Sequence, residues 1–206
     1  MSGDAQRERG DDRAPRPVRA DAQRNIDALL EAAAAVFAVS GVDAPIREIA
    51  AKAGVGVGTL YRHFPQRSDL IVAIVRREMD ACVDAAQALS NEYEPGDALA
   101  RWMQRFVDFV TAKRGLAAAL HSGDLAYEPL PLYFRQTLRP ALCALLDRAI
   151  AAGEVRDDVA ADELLAAVSS LCMSAQGAEG LAVARRMVAL LADGLRCSAR
   201  PTDAPS

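Results

Sequence analysis

The apolar positions of this chain recur at three- and four-residue intervals over most of its length, which is the period of an amphipathic helix. From about Ala22 to Val39 the stripe is Ile26, Leu29, Leu30, Ala33, Val36 and Phe37, and Ser40-Gly41 stops it. Ile46, Ile49, Ala50 and Ala53 mark a second, shorter helix, with Arg47, Glu48, Ala51 and Lys52 on its other side. Asp43 is suited to cap that helix, and Pro45 to its first turn, where an amide hydrogen has no partner anyway. Gly54 stands where the helix ends and the chain must turn sharply, a place that favours glycine because φ is often positive there. A third segment begins near Gly56 or Val57, with Leu60 and Phe64 inward and Val57, Gly58, Tyr61 and Arg62 outward. Pro65 ends it, since the residue before a proline is pushed out of the α region.

The pattern then lengthens. Ser68 to Ser90 predicts a long helix opened by Ser68 or Gln66, with Asp69 near its positive end and an apolar stripe of Leu70, Ile74, Val75, Met79, Cys82 and Val83. Asn91 to Gly96 reads as a loop because it contains Pro95-Gly96. Asp97 to about Lys113 carries Leu99, Trp102, Met103, Phe106, Phe109 and Val110 on one broad face. A shorter helix from Leu116 to about His121 follows, then a stretch broken by Gly123, Pro129 and Pro131. Leu132 to Ala152 predicts another long helix, with Pro140 threatening a kink through its lost hydrogen bond. Asp162 to Ser174 and Leu181 to Leu195 complete the series, and their apolar residues cover more than one stripe, which calls for a partner on a second side. The fold class expected from these segments is all-α.

Two short helices joined at a glycine, the second bearing Thr59, Tyr61, Arg62 and His63, form a helix-turn-helix, whose second helix enters the major groove of duplex DNA. The run AGVGVGTLYRHFPQRSDL resembles the DNA-binding domain of the TetR family of bacterial transcriptional regulators, over roughly residues 22–80. The remainder resembles that family in layout only. The resemblance implies an all-helical homodimer, an N-terminal three-helix reading head, and a C-terminal bundle that binds a small molecule and dimerises through its last two helices. It also implies that the helix after Pro65 joins the two parts as a lever. Two positions depart from the common family pattern: Gly56 replaces a frequent capping serine, at a cost of only about a few tenths of a kcal/mol, and Val57 replaces a polar residue.

Composition and charge narrow the functional classes. Alanine and leucine dominate the 206 residues, and 51% are apolar, enough for one or two compact domains. The first 77 residues carry twelve Lys and Arg against ten Asp and Glu, whereas the rest carries twelve against eighteen; the basic share lies with the reading head. No run of about eighteen apolar residues occurs and no charged-then-apolar leader, so a cytoplasmic protein with no membrane partner is expected. Cys82, Cys143, Cys172 and Cys197 have no CxxC spacing, and with His63 and His121 as the only histidines neither a metal site nor a disulfide framework is expected. No nucleophile–base pairing, phosphate loop or metal cluster is visible, so neither an enzyme nor a cofactor is expected.

The expected organisation is a disordered arm over 1–20, a DNA-binding domain over 21–67, a ligand-binding and dimerisation domain over 68–197, and a polar tail over 198–206. Arg16, Arg19 and Arg24 of the arm either stay solvated or sample a minor groove. Among the DNA-binding candidates, Arg62 is the guanine reader; Val57 offers a thymine methyl an apolar contact; Gly58 lets the backbone come close; Thr59, Tyr61 and His63 suit phosphate and sugar. Arg47, Lys52 and Arg67 are further backbone partners. For the effector, Trp102, Phe106 and Phe109 are either core or cavity wall, and His121, Tyr127, Tyr133 and Met173 are polar or soft candidates beside them. The dimer candidates are Leu164, Val168, Leu171, Leu181, Met187, Val188 and Leu191. The function expected is a ligand-responsive repressor on a pseudo-palindromic operator, the alternative being a helical adaptor that does not act through DNA.

Overall fold

The computed structural model describes residues 16–173, 175 and 177–196, and among these every regular element is a helix. Three make the head: α1 (Arg16–Ser40), α2 (Ile46–Lys52) and α3 (Val57–His63). Six make the body: α4 (Arg67–Glu92), α5 (Pro95–Ala112), α6 (Ala117–Leu120), α7 (Pro129–Ala151), α8 (Ala161–Met173) and α9 (Gly177–Arg196), with 3₁₀ turns at Lys113–Leu116 and Leu125–Tyr127. The expected arm over 1–15 and the tail, with Cys197, lie outside the described residues.

Several helix boundaries differ from those the period predicts, each for a local chemical reason. α1 starts at Arg16, so 16–20 continue the helix instead of forming an arm; Pro17 falls in the first turn, where proline is tolerated. The residue preceding α2 is Pro45, with no side-chain cap, so Asp43 does not cap it. Gln66 opens α4, and its amide donates to Asp69 Oδ2 at 2.9 Å, half of a capping box. The loop expected over Asn91–Gly96 shrinks to Tyr93-Glu94: α4 runs on to Glu92, and Pro95 is the first residue of α5, where its missing N–H is not needed. The Gly96 amide donates to Glu154 Oε2 at 2.8 Å, so a carboxylate from the α7–α8 turn meets the positive end of α5. Pro129 likewise begins α7 three residues early, and the helix continues through Pro140, which lies on the exposed side, where the carbonyl that loses its partner is open to solvent.

One apolar cluster runs from head to body. Leu29, Ala33, Phe37, Ile49 and Leu60 hold the head together, and Ile71, Ile74 and Val75 of α4 continue it into the body. In the body α4 packs along α5 and α7, and α9 covers α5 from the far side. Trp102 is fully enclosed, donates from Nε1 to the Cys82 carbonyl at 2.8 Å and stacks on Phe106 with centroids 5.5 Å apart. Head and body meet closely at Gly115: a Cβ there would lie 2.8 Å from the Phe37 carbonyl oxygen, so only glycine lets the 3₁₀ turn reach the end of α1. Arg77 adds a bond from α4 to the Asp27 carbonyl of α1 at 2.9 Å.

Candidate nucleic-acid interface and cavities

The head presents α3 on a tight turn. The Val55 amide donates to the Ala50 carbonyl at 3.0 Å, and Gly54 adopts φ +69°, a left-handed conformation that costs a side-chain-bearing residue about 1–2 kcal/mol. Gly56 precedes α3 in extended geometry with no side-chain cap, so the departure noted in the sequence is real. Leu60 and Phe64 are buried and fix the helix to the core, which leaves Gly58, Tyr61 (49% exposed), Arg62 and His63 outward, with Thr59 half-buried between them. Gly58 has open space where a Cβ would stand. Arg47 and Lys52 of α2 are exposed beside them. Neither these two nor Arg62 is engaged in an ion pair among the described residues, so their cationic groups stand open to solvent, with Glu48 the acidic residue on the same side of α2.

Two expected contacts are corrected. Val57 is half-buried against the core, because 57, 60 and 64 form a single i, i+3, i+7 stripe; it is not a fully outward apolar reader. Arg67 is not a free phosphate partner. Its Nη1 donates to the Val42 carbonyl and, at 2.8 Å, to that of Ala44, and its guanidinium lies 6.0 Å from the centre of the Phe37 ring. It ties the start of α4 to the loop before α2. Arg67→Met is therefore expected to lower stability by about 1–3 kcal/mol in urea unfolding while leaving the slope of log K against log[salt] for duplex DNA unchanged. A slope reduced by about one would restore a phosphate role. Arg24 is exposed near the start of α1, and the side chains of Arg16 and Arg19 lie outside the described ones.

The body holds a cavity of about 430 Å³ between α4, α6 and α7. Met79, Leu120, Leu130 and Phe134 give it apolar walls; Lys113, His121, Tyr127 and Arg135 are its polar groups. Of the expected effector residues, only His121 and Tyr127 line it. Trp102, Phe106 and Phe109 are core: they stack in sequence along α5 and are enclosed by the neighbouring helices. Tyr133 faces α4 elsewhere, donating to Asp80 Oδ1 at 2.5 Å beneath the Arg76 guanidinium. Met173 lies off the inward Leu164–Val168–Cys172 stripe of α8 and is 74% exposed. Lys113, Phe134 and Arg135 were missed, although Lys113 follows Phe109 by four and Phe134 lies between Leu130 and Leu138 at helical spacing.

Burial sets the chemistry of several groups. Desolvation holds the Lys113 ammonium below its usual pKa, and its Nζ sits 4.2 Å from the centre of the Phe109 ring. Burial raises the Tyr127 phenol, helped by Asp124 and opposed by Arg67. It pushes the Cys82 thiol up to about 11, so that thiol is a protonated core residue. Cys172 is also buried and Cys143 half-buried. A second cavity, about 500 Å³, opens between head and body and touches Val42, Arg67, Ser122 and Tyr127. Tyr127 thus borders both spaces.

The outer face of the last two helices has a groove of about 700 Å³ reaching Leu171, Val183 and Met187. Leu164, Val168 and Val188 are buried inside the protomer against α5 and α7, so they are not available to a partner. Leu171, Leu181 and Leu191 are half-buried and Met187 is exposed. Val183 and Leu190, 40% and 60% exposed, lie outside the set of dimer candidates; with Met187 they stand at i, i+4 and i+7.

Residues 29–74 match the family model for bacterial regulatory proteins of the tetR family, and residues 94–197 match that for the C-terminal domain of SbtR-like transcriptional regulators. The crystal structure of the TetR transcriptional regulator SCO0520 from Streptomyces coelicolor is 40% identical, with a TM-score of 0.74, over 84% of this chain and 99% of that one. That of a TetR transcription regulatory protein from Mycobacterium vanbaalenii is 37% identical, with a TM-score of 0.68, over 87% and 99%. An HTH-type transcriptional regulator of Staphylococcus aureus strain USA300 is 34% identical over 77 residues, which is 37% of this chain and 42% of that protein. The chain thus spans about two-fifths of the length of the curated relatives it matches. Among the described residues no helix is long and apolar enough to cross a membrane. With an exposed α3 on a glycine turn, both domain models matched and 40% identity over nearly the whole of a solved regulator, the chain belongs to the TetR family of bacterial transcriptional regulators.

Proposed function

We propose that this protein is a cytoplasmic repressor, not an enzyme, that binds a pseudo-palindromic DNA operator as a homodimer and is released by a small molecule held between α4, α6 and α7. In this reading residues 21–67 are the DNA-binding domain and 68–197 the effector and dimerisation domain. The observation that carries it is the outward face of α3, where Arg62, Tyr61 and Gly58 stand exposed on a helix anchored by Leu60 and Phe64. Arg47, Lys52, Thr59 and His63 meet the backbone, and two copies of α3 enter successive major grooves. Dimerisation uses Val183, Met187 and Leu190 with Leu171, Leu181 and Leu191, rather than the buried Leu164, Val168 and Val188. The effector acts only if it binds the conformer unfit for DNA more tightly than the other.

The test is fluorescence anisotropy with duplex fragments selected from the source genome, repeated over a range of salt. Arg62→Ala should lower operator affinity by about 1–3 kcal/mol and relax preference at one base pair. Gly58→Ala separates fold from recognition. The added methyl meets nothing within 4 Å in the free protein, and helix propensity makes the variant more stable by up to about 1 kcal/mol, yet the methyl keeps the backbone from the groove and operator affinity falls. Duplex binding that ignores salt and sequence would favour the adaptor reading instead.

A further inference from the structure

We infer that the cavity between α4, α6 and α7 takes an amphipathic organic anion, its charged head on Lys113 and its apolar body along Met79, Leu130 and Phe134. The inference rests on the reading of this cavity as the effector site and adds the class of ligand.

The cavity lining is electrically one-sided. Lys113 and Arg135 line it together with His121, and no Asp or Glu does. Glu78 borders a small neighbouring void with Lys113 but is engaged by Arg105 at 3.3 Å. Lys113 itself makes no ion pair among the described residues; its ammonium rests on the Phe109 ring. A cation over an aromatic face recovers only part of what desolvation removes. His121 Nδ1 donates to the Ala117 carbonyl at 2.8 Å, so one ring nitrogen is already used in holding the end of α6. Arg135 is exposed and Lys113 half-buried, so the positive charge runs from the mouth inward.

Each ligand class meets a different balance. A neutral apolar molecule gains the walls but leaves the Lys113 charge uncompensated, and a cation adds repulsion from both Lys113 and Arg135. An anion with an apolar body uses the walls and supplies the missing counter-charge in a partly desolvated place, where a charge-assisted hydrogen bond is strong. At about 430 Å³ the space suits a small organic molecule. Lys113 also begins the 3₁₀ turn whose Gly115 touches the Phe37 carbonyl at the end of α1. The anion's head therefore engages the segment that bears on the DNA-reading head.

Calorimetric titration of the full chain with octanoate, octanol and octylammonium tests the inference without DNA. Octanoate is expected to bind about tenfold or more tighter than octanol, the scale of one charge-assisted hydrogen bond, and octylammonium weakest of the three. Lys113→Met should bring octanoate to the octanol level and leave octanol unchanged, and Lys113→Arg should keep most of the preference. The wild-type comparison stands even if a Lys113 variant folds poorly. Absence of octanoate binding, octanol binding as tight as octanoate, or an unchanged octanoate affinity in a folded Lys113→Met would each overturn the inference. Anion preference without salt-dependent duplex binding would keep it while the repressor reading failed, and duplex binding without anion preference would do the reverse.

Discussion

The double variant Val183→Glu/Leu190→Glu is expected to elute as a monomer in size-exclusion chromatography with light scattering, and to lose about 100-fold or more in operator affinity. Both side chains are exposed, and with Met187 they form one outward stripe of α9 beside a groove of about 700 Å³. The inward stripe of the same helix, Ala184, Val188, Ala192 and Leu195, is buried and untouched by the change. The monomer should therefore keep its helical circular dichroism and its melting temperature at low concentration. Carboxylates placed on that stripe would face their copies across a two-fold axis, where like charges in a desolvated contact repel. Each monomer then offers one α3, and the second half-site no longer binds at the high effective concentration that a dimer provides. A double variant that remains dimeric would move the interface elsewhere.

Trp102→Ala is expected to destabilise the fold by about 3–5 kcal/mol, read as a lower urea midpoint with an unchanged slope. Trp102 is fully enclosed, stacks on Phe106 and donates to the Cys82 carbonyl, so its removal leaves a void at the meeting of α4 and α5. Trp102→Phe keeps most of the stack and should lose much less. Neither substitution touches the wall of the cavity between α4, α6 and α7, so octanoate affinity measured on the folded Trp102→Phe protein should match wild type. A large loss of ligand affinity with little loss of stability would return Trp102 to the cavity wall.

Trp102 shows what helical periodicity can and cannot supply. Spacing assigned Trp102, Phe106 and Phe109 to one face of α5, and that assignment holds. It left open whether the face met solid core or empty space, because that depends on the helices opposite and their distance. The same limit explains α8 and α9. Leu164, Val168 and Val188 read as apolar on a second side, but which stripe faces α5 and which faces outward follows from docking, and it leaves Val183, Met187 and Leu190 as the exposed apolar stripe. Arg67 looked like one more exposed cation because its acceptors, the Val42 and Ala44 carbonyls, lie more than twenty residues away in sequence.

Local signals sufficed where the chemistry was local. The turn at Gly54, the bare start of α3 at Gly56, the stop at Pro65 and the anchors Leu60 and Phe64 depend on neighbours within about one helical turn, so residue order alone specifies a helical chain with a helix-turn-helix and an outward Arg62. Packing between distant segments brings Lys113, Arg135 and His121 to one cavity with no carboxylate in its lining, and sets Gly115, two residues after Lys113, against α1. Those residues come from separate segments and meet through the packing of α4 against α7 and of the 3₁₀ turn against α1, and such contacts between distant parts of a chain leave no period in the sequence.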